Sequence, residues 1–309
     1  MAERLLEGRV AVVTGAGRSI GKGVARLMAE HGAKVVVNDL GVAVDGTDPS
    51  SGPADETVAE IGEAGGTAVA SHESVADHQG AARIIQMALD SFGRLDILVN
   101  PAGILRDRMV FNMTKEEWDA VIAVHLKGHF NLVQPASAVM REQRSGRIIT
   151  FSSTSGLWGS SGQANYGAAN DGVAGLTRVV ARDLGRYGVT CNCIAPSAET
   201  RMTGSVPEAA HELRAEAGIA AAGMPAHLPR PPEAIAPMAV WLASDAASDI
   251  NGQVFYVGGG LIGLMSHPAA GRTITKPGGE RWTVEELAAV FPASLGMDLP
   301  NPAPARPAE

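Results

Sequence analysis

Short apolar runs alternate with longer stretches of helical spacing along most of this chain. Residues 9–14, 33–39, 95–100, 146–153, 188–196 and 253–257 are Val/Ile-rich runs of strand length, and a weaker one lies near 67–70. Between them, residues 20–31 place Ile20, Val24, Leu27 and Met28 on one helical face. Residues 54–64, 77–91, 114–142, 162–186 and 232–243 also read as helices, and Thr114 with Glu117 forms a capping box at the start of the fourth. Nearly continuous apolar strands separated by helices predict a parallel sheet covered on both faces. The seven strands fit a single doubly wound, Rossmann-type α/β domain over residues 1–260. Ligands of such sheets bind where the strands end at their carboxyl side, so the residues just after each strand are the ones to examine.

Three segments fall outside this rhythm. Residues 41–53 form a loop longer than the usual strand-to-helix connection. The Ala/Glu/Pro-rich stretch 197–231 follows a strand end, where a lid would sit. Residues 261–309 are a C-terminal extension whose last nine, rich in Pro and Ala, read as a frayed tail.

Composition narrows the classes. Of 309 residues, 45% are hydrophobic and 19% charged, which excludes a disordered chain. The 37 glycines follow no three-residue period, so they belong to turns and close approaches. A net charge of -8 opposes nucleic acid as a partner. Two cysteines make no disulfide framework. Residues 1–9 lack the apolar stretch of a secretion signal, and the charge-free windows 148–170 and 250–271 are full of Gly, Ser, Asn and Gln. A soluble, cytoplasmic protein with no membrane partner is expected.

The first strand runs directly into TGAGRSIG (14–21), which opens the first helix. Gly15, Gly17 and Gly21 in that context mark a phosphate-binding loop. Glycines let the backbone approach a pyrophosphate, and the helix amides receive its charge. Arg18, Ser19 and Ile20 lie in the same turn. Asp39 ends the second strand, where an acid accepts hydrogen bonds from adenosine ribose and repels a 2′-phosphate, favouring NAD over NADP. Arg18 is a counter-signal, because a cation there pairs with that phosphate.

With LVNPAG (98–103), VHLKG (124–128), SSTSG (152–156), YGAAN (166–170) and IAPSAET (194–200), the chain resembles the short-chain dehydrogenase/reductase family over residues 8 to about 260. Within it, VVVNDLG (35–41), VHLKGHF (124–130), GQANYGAAN (162–170) and RWTVEEL (281–287) are most similar to the (3R)-hydroxyacyl-CoA dehydrogenase unit of peroxisomal multifunctional enzyme type 2 and its actinobacterial relatives. The resemblance implies that Tyr166 exchanges a proton with the substrate oxygen and that Ser153 hydrogen-bonds it. Asn100 steadies the sheet beside the cofactor, with Ala102 and Gly103 next to it. Thr200, after Pro196, holds the nicotinamide amide. Glu73, Ser74 and Val75 fall at the adenine. His125 stands where most of the family has a proton-relay Asn. The family's helices corresponding to 114–142 and 162–186 build its oligomer interface, so a homodimer or tetramer is implied, and both helices are apolar on several faces here.

Several positions depart from the family pattern: Ser19 for a glycine, Pro101 for the second Asn of NNAG, Ser197 for the glycine of PG, and Glu73 for Asp. The largest departure is Asn170 in place of the lysine of Tyr-x-x-x-Lys. That lysine hydrogen-bonds the nicotinamide ribose and lowers the tyrosine pKa. Tyr166 and Asn170 share a helical face, but a neutral amide supplies no charge. Free tyrosine at pH 7 is only about one part in a thousand phenolate. Lys127 lies two residues past His125 and points off that face. Reduced activity is therefore expected from an NAD-dependent alcohol dehydrogenase acting on a 3-hydroxyacyl-CoA or similarly apolar substrate. The alternatives are an NAD-binding partner subunit of an active relative and a non-redox acid/base enzyme on the same scaffold.

Other residues have plainer readings. Cys191 and Cys193 alternate along a strand and pack one face. His125 and His129 have the four-residue spacing of metal ligands, but no third ligand accompanies them and no metal is expected. Leu157, Trp158 and Met202 fall around the expected substrate mouth, as pocket lining or as packing under a lid.

Overall fold

In the six strands β1 (Val10–Val13), β2 (Lys34–Asn38), β4 (Ile97–Asn100), β5 (Gly146–Phe151), β6 (Val189–Pro196) and β7 (Val254–Gly258), nearly every residue is buried. That is why their sequences read as continuous apolar runs rather than alternating ones. The computed structural model describes residues 4–200 and 229–299. With β3 (Thr67–Ser71) and β8 (Leu261–Leu264) the strands form one sheet in the order β3-β2-β1-β4-β5-β6-β7-β8. Pairing is parallel from β3 through β7.

Alternate strand residues enter two cores. Ala11, Val13, Val35, Val37 and Ile149 pack under α1 (Ser19–Glu30), α2 (Gly52–Glu63) and α8 (Ala236–Ala243). Val10, Val12, Val36, Leu98 and Ile148 pack on the other face, under α3 (His78–Phe92), α5 (Gly128–Gln143) and α7 (Ala164–Leu184).

The expectation of seven strands needs one correction. β8 adds an eighth, antiparallel to β7, with Phe255 opposite Leu264 and Gly258 opposite Leu261. A tight turn through Gly259 at φ 53° and Gly260 makes the reversal. The expected helix 114–142 is also divided. α4 (Lys115–Ile122) starts at the Thr114–Glu117 capping box, a π-helical turn follows over Ala123–Lys127, and α5 resumes at Gly128. Two further helices appear that the sequence reading did not assign: α6 (Thr154–Leu157) and α9 (Val284–Val290), the latter opened by a Thr283–Glu286 capping box. Most of the expected lid, including Met202, and the terminal tail lie outside the described residues. Among the described residues, no helix is long and apolar enough to cross a membrane.

The chain turns one way from β1 to β2 and the other way from β1 to β4. The connections that leave the carboxyl ends of β1 and β4 therefore go to opposite faces of the sheet and leave a crevice between them, which is where the candidate residues collect.

Candidate active site

The glycine loop closes tightly on itself. Gly15 has φ 56°, and any side chain at Gly21 would collide with the Gly15 carbonyl. α1 begins at Ser19 with no side-chain cap and no acidic residue in its first turn. Its first amides and the positive end of its dipole are therefore left for an anion. Ser19 itself has φ 51°, and its buried Oγ has no hydrogen-bond partner. An uncapped helix start with an orphaned hydroxyl fits the pyrophosphate of a dinucleotide. Arg18 lies in the cavity wall, its Nη1 3.3 Å from the Val42 carbonyl. Ile20 lines the same wall.

Asp39 is held from both sides. Gly17 N–H donates to Oδ2 at 2.8 Å and Gly41 N–H to Oδ1 at 2.6 Å. The carboxylate is thus fixed behind the glycine loop at the adenosine end. Glu73, Ser74 and Val75 follow β3 and line the cavity. Glu73 is engaged in a two-pronged pair with Arg83 on α3, at 2.8 and 2.7 Å, which holds its carboxyl below the ordinary carboxylate range.

After β4, Asn100 Oδ1 accepts from the Thr14 hydroxyl, tying the end of β4 to the end of β1. The Asn100 Nδ2 is buried without a partner. Ala102 and Gly103 line the cavity, and a side chain at Gly103 would run into the His125 imidazole.

The four expected catalytic residues converge. His125 sits in the π-helical turn, buried, with Nε2 3.0 Å from the Ile104 amide and 2.9 Å from its carbonyl. Its ring stands edge-on to Tyr166, with centroids 4.9 Å apart. Burial lowers the His125 pKa to about 4, so the imidazole is neutral at pH 7. Ser153 caps α6, its Oγ accepting from Ser155 N–H at 3.2 Å. Burial raises the Tyr166 pKa above its ordinary value; a hydrogen bond with Ser153 opposes the shift and the Asp107 carboxylate adds to it. Asn170, one turn along α7, is buried and donates from Nδ2 to the Tyr166 carbonyl at 2.9 Å. Pro196 ends β6, and Thr200 lies in the same cavity wall. Apart from Gly17 and Asn100, which lie behind the wall, the expected site residues line one cavity of about 990 Å³.

Similarity to known proteins agrees with this geometry. A family model described as enoyl-(acyl carrier protein) reductase matches residues 15–262. A crystal structure of a short chain dehydrogenase from Mycobacterium avium superposes with a TM-score of 0.80 at 46% identity, covering 96% of this chain and 97% of that one. The chain belongs to the short-chain dehydrogenase/reductase family. It is 44% identical to hydroxyacyl-CoA dehydrogenase ChsB1 of Mycobacterium tuberculosis over 93% of this chain and 88% of that protein. It is also 42% identical to mouse peroxisomal multifunctional enzyme type 2, covering 84% of this chain but only 33% of that longer protein. These relatives are named as dehydrogenases and reductases, which supports an oxidoreductase acting on CH–OH groups.

Within this short-chain dehydrogenase/reductase site, several contributors are not among the expected site residues. The long loop after β2 reaches across the cavity: Leu105 N–H donates to Val44 O and Arg106 Nε to Asp45 O, both at 2.9 Å. Its unusual length was the available signal. Asn165 accepts from Tyr166 N–H at 2.8 Å and donates to the Arg106 and Glu117 carbonyls at 3.0 Å, bracing the start of α7. Gln163 donates to Asp107 at 2.8 Å and accepts from Ser155 at 2.7 Å. Both side chains stand in GQANYGAAN (162–170), a motif of the sequence, but only the fold reveals their partners. Trp158 lines the cavity and leans on Tyr256, whereas Leu157 packs into a small core with Val173 and Cys193. Lys127 is exposed and outside the cavity wall. Cys191 and Cys193 are free and buried, and burial raises both thiol pKa values, that of Cys193 to about 11.

Proposed function

We propose that this chain is an NAD(H)-dependent dehydrogenase that interconverts a secondary alcohol and its ketone, with a 3-hydroxyacyl-CoA or similarly apolar ester as substrate. The observation that carries the reading is the single cavity running from the glycine loop and Asp39 to Ser153, Tyr166 and Asn170. One end offers an uncapped helix start and a fixed carboxylate, the other two hydroxyls set for a carbonyl oxygen.

The nicotinamide, when bound, supplies or accepts the hydride. Gly15 and the first amides of α1 would hold the pyrophosphate, Gly17 holds Asp39 in place, and Asp39 would receive the ribose hydroxyls and oppose a 2′-phosphate. Ser153 hydrogen-bonds the substrate oxygen and Tyr166 exchanges its proton. His125 is neutral, keeps Nε2 on the Ile104 backbone and packs edge-on against the Tyr166 ring, so its place suits holding that phenol in position. Asn170 has committed Nδ2 to its own helix. Its Oδ1 is left to accept from the nicotinamide ribose. Trp158 offers the acyl end an apolar wall. The substrate class rests on the likeness to ChsB1 and to the type 2 multifunctional enzymes.

No lysine stands at position 170 to favour the phenolate, and burial disfavours it, so turnover is slow at neutral pH. NADH formation by the purified protein with 3-hydroxyacyl-CoAs and steroid alcohols, at pH 7 and pH 10, tests the assignment. Turnover that rises with pH is expected. Cofactor binding without turnover on any substrate would support the second reading, a non-catalytic NAD-binding partner or a non-redox acid/base enzyme, which Asn170 favours. Half-exposed Phe130 on α5 and Val179 on α7 suit a homo-oligomer built on these helices.

A further inference from the structure

His129 takes no part in the reaction outlined above, yet it is a buried, titratable side chain behind the cavity wall. Its Nδ1 lies 2.6 Å from the carbonyl oxygen of His125, and its Nε2 lies 3.2 Å from the amide nitrogen of Phe151. Each partner can play only one part. A carbonyl only accepts and an amide N–H only donates, so the proton must sit on Nδ1 and the lone pair on Nε2. Phe151 ends β5, two residues before Ser153. The intervening Ser152 donates from its hydroxyl to the Asn170 carbonyl at 2.7 Å. One imidazole therefore joins the π-helical turn that presents His125 to the strand end that presents Ser153, and that strand end is joined in turn to the helix of Tyr166 and Asn170.

We propose that His129 is a positioning residue, which sets His125 and Ser153 around Tyr166 by bridging the His125 carbonyl and the Phe151 amide as the neutral Nδ1–H tautomer. The proposal rests on the dehydrogenase reading for its kinetic consequence, but the bridge itself is testable without turnover.

Two substitutions separate positioning from bulk. His129→Gln can donate from its amide nitrogen and accept at its oxygen, so it reproduces both bonds at similar separation. His129→Phe fills the volume and makes neither, leaving the Phe151 N–H buried and unpaired. With the alcohol that the wild type oxidises best, His129→Phe is expected to lower kcat tenfold or more with little change in the KM for NAD. His129→Gln should return kcat to within about threefold of wild type.

The second readout is nitrogen NMR of histidine-labelled protein. The wild type should show His129 protonated on Nδ1, and the His125 ring resonances should move in His129→Phe and return in His129→Gln. If the wild type oxidises nothing, the dehydrogenase reading fails and the NMR decides the bridge alone. Should His129→Phe not fold, His129→Gln with wild-type His125 resonances and kcat supports the bridge. A His129 protonated on Nε2, unmoved His125 resonances in folded His129→Phe, or a Gln variant no better than Phe would overturn the proposal.

Discussion

Asn170 shows how one side chain can be placed well and still lack a property. It lies on the face of α7 that carries Tyr166, in the cavity wall, and its Nδ2 is taken up by the Tyr166 carbonyl. What it lacks is charge. Asn170→Lys should lower the Tyr166 pKa and raise kcat/KM for alcohol oxidation by on the order of 10 to 10³, or roughly 1.4 to 4 kcal/mol. The optimum should move from alkaline towards neutral pH, and Tyr166→Phe in the same background should abolish the gain. A pH–rate profile of the three proteins checks this, and an unchanged profile would reject the missing charge as a limit on turnover. At the other end of the cavity, Asp39 is held by two backbone amides and cannot swing aside without breaking both bonds. NAD(H) is therefore expected to bind at least tenfold tighter than NADP(H), about 1.4 kcal/mol. Fluorescence titration with both cofactors measures it, and equal affinities would make Arg18 a phosphate ligand. Residues placed in the cavity wall by type and order along the chain, such as Gly15, Asp39, Ser153 and Tyr166, were legible in the sequence. Residues that act only through a partner brought from elsewhere were not. Asn165 and His129 are the examples, since each joins backbone groups more than twenty positions away.

At the scale of elements, helical spacing over 114–142 was read as one helix, and the structure widens it to a π-helical turn at 123–127. An apolar pattern reports which face is buried, not whether one turn carries an extra residue. The turn has a cost that depends on pH. His125 and His129 are both buried and neutral, with pKa values lowered to about 4 by desolvation. In the unfolded chain they protonate near the ordinary value of about 6.5. The unfolded state thus binds more protons between these values, so their stabilisation is complete above about pH 6.5 and is lost as the pH falls towards 4. Each contributes a slope of at most about 1.4 kcal/mol per pH unit in that window. Urea unfolding from pH 7.5 to 4.5 should show the decline, and His129→Gln should flatten it. Equal slopes in the two proteins would show that His129 titrates normally. β8 and α9 escaped notice because LIGL is too short for a periodicity and α9 spans only seven residues.

For the whole molecule, the layers follow from burial. Strands apolar on both faces require helices above and below, and the order of strand and helix segments then leaves few arrangements. The half-exposed Phe130 and Val179, with Trp118 on α4, leave apolar area on the helices that cover one face. Light scattering at micromolar concentration is expected to give a particle of at least twice 31.8 kDa, and a monomer would contradict the oligomer. The sequence by itself determined the α/β class, the parallel strands, the position of the cofactor loop after β1 and the identity of the residues at the strand ends. Each of these depends on local periodicity or on a few contiguous residues whose chemistry needs no distant partner. Only the tertiary structure decided the rest: that β8 folds back on β7, that the loop after β2 is bonded to residues 105–106, that Asn170 spends its amide on Tyr166, and that His129 bridges the turn of His125 to the strand of Ser153. These depend on distances between segments far apart in the chain, and hydrogen bonds are chosen by which groups burial forces together.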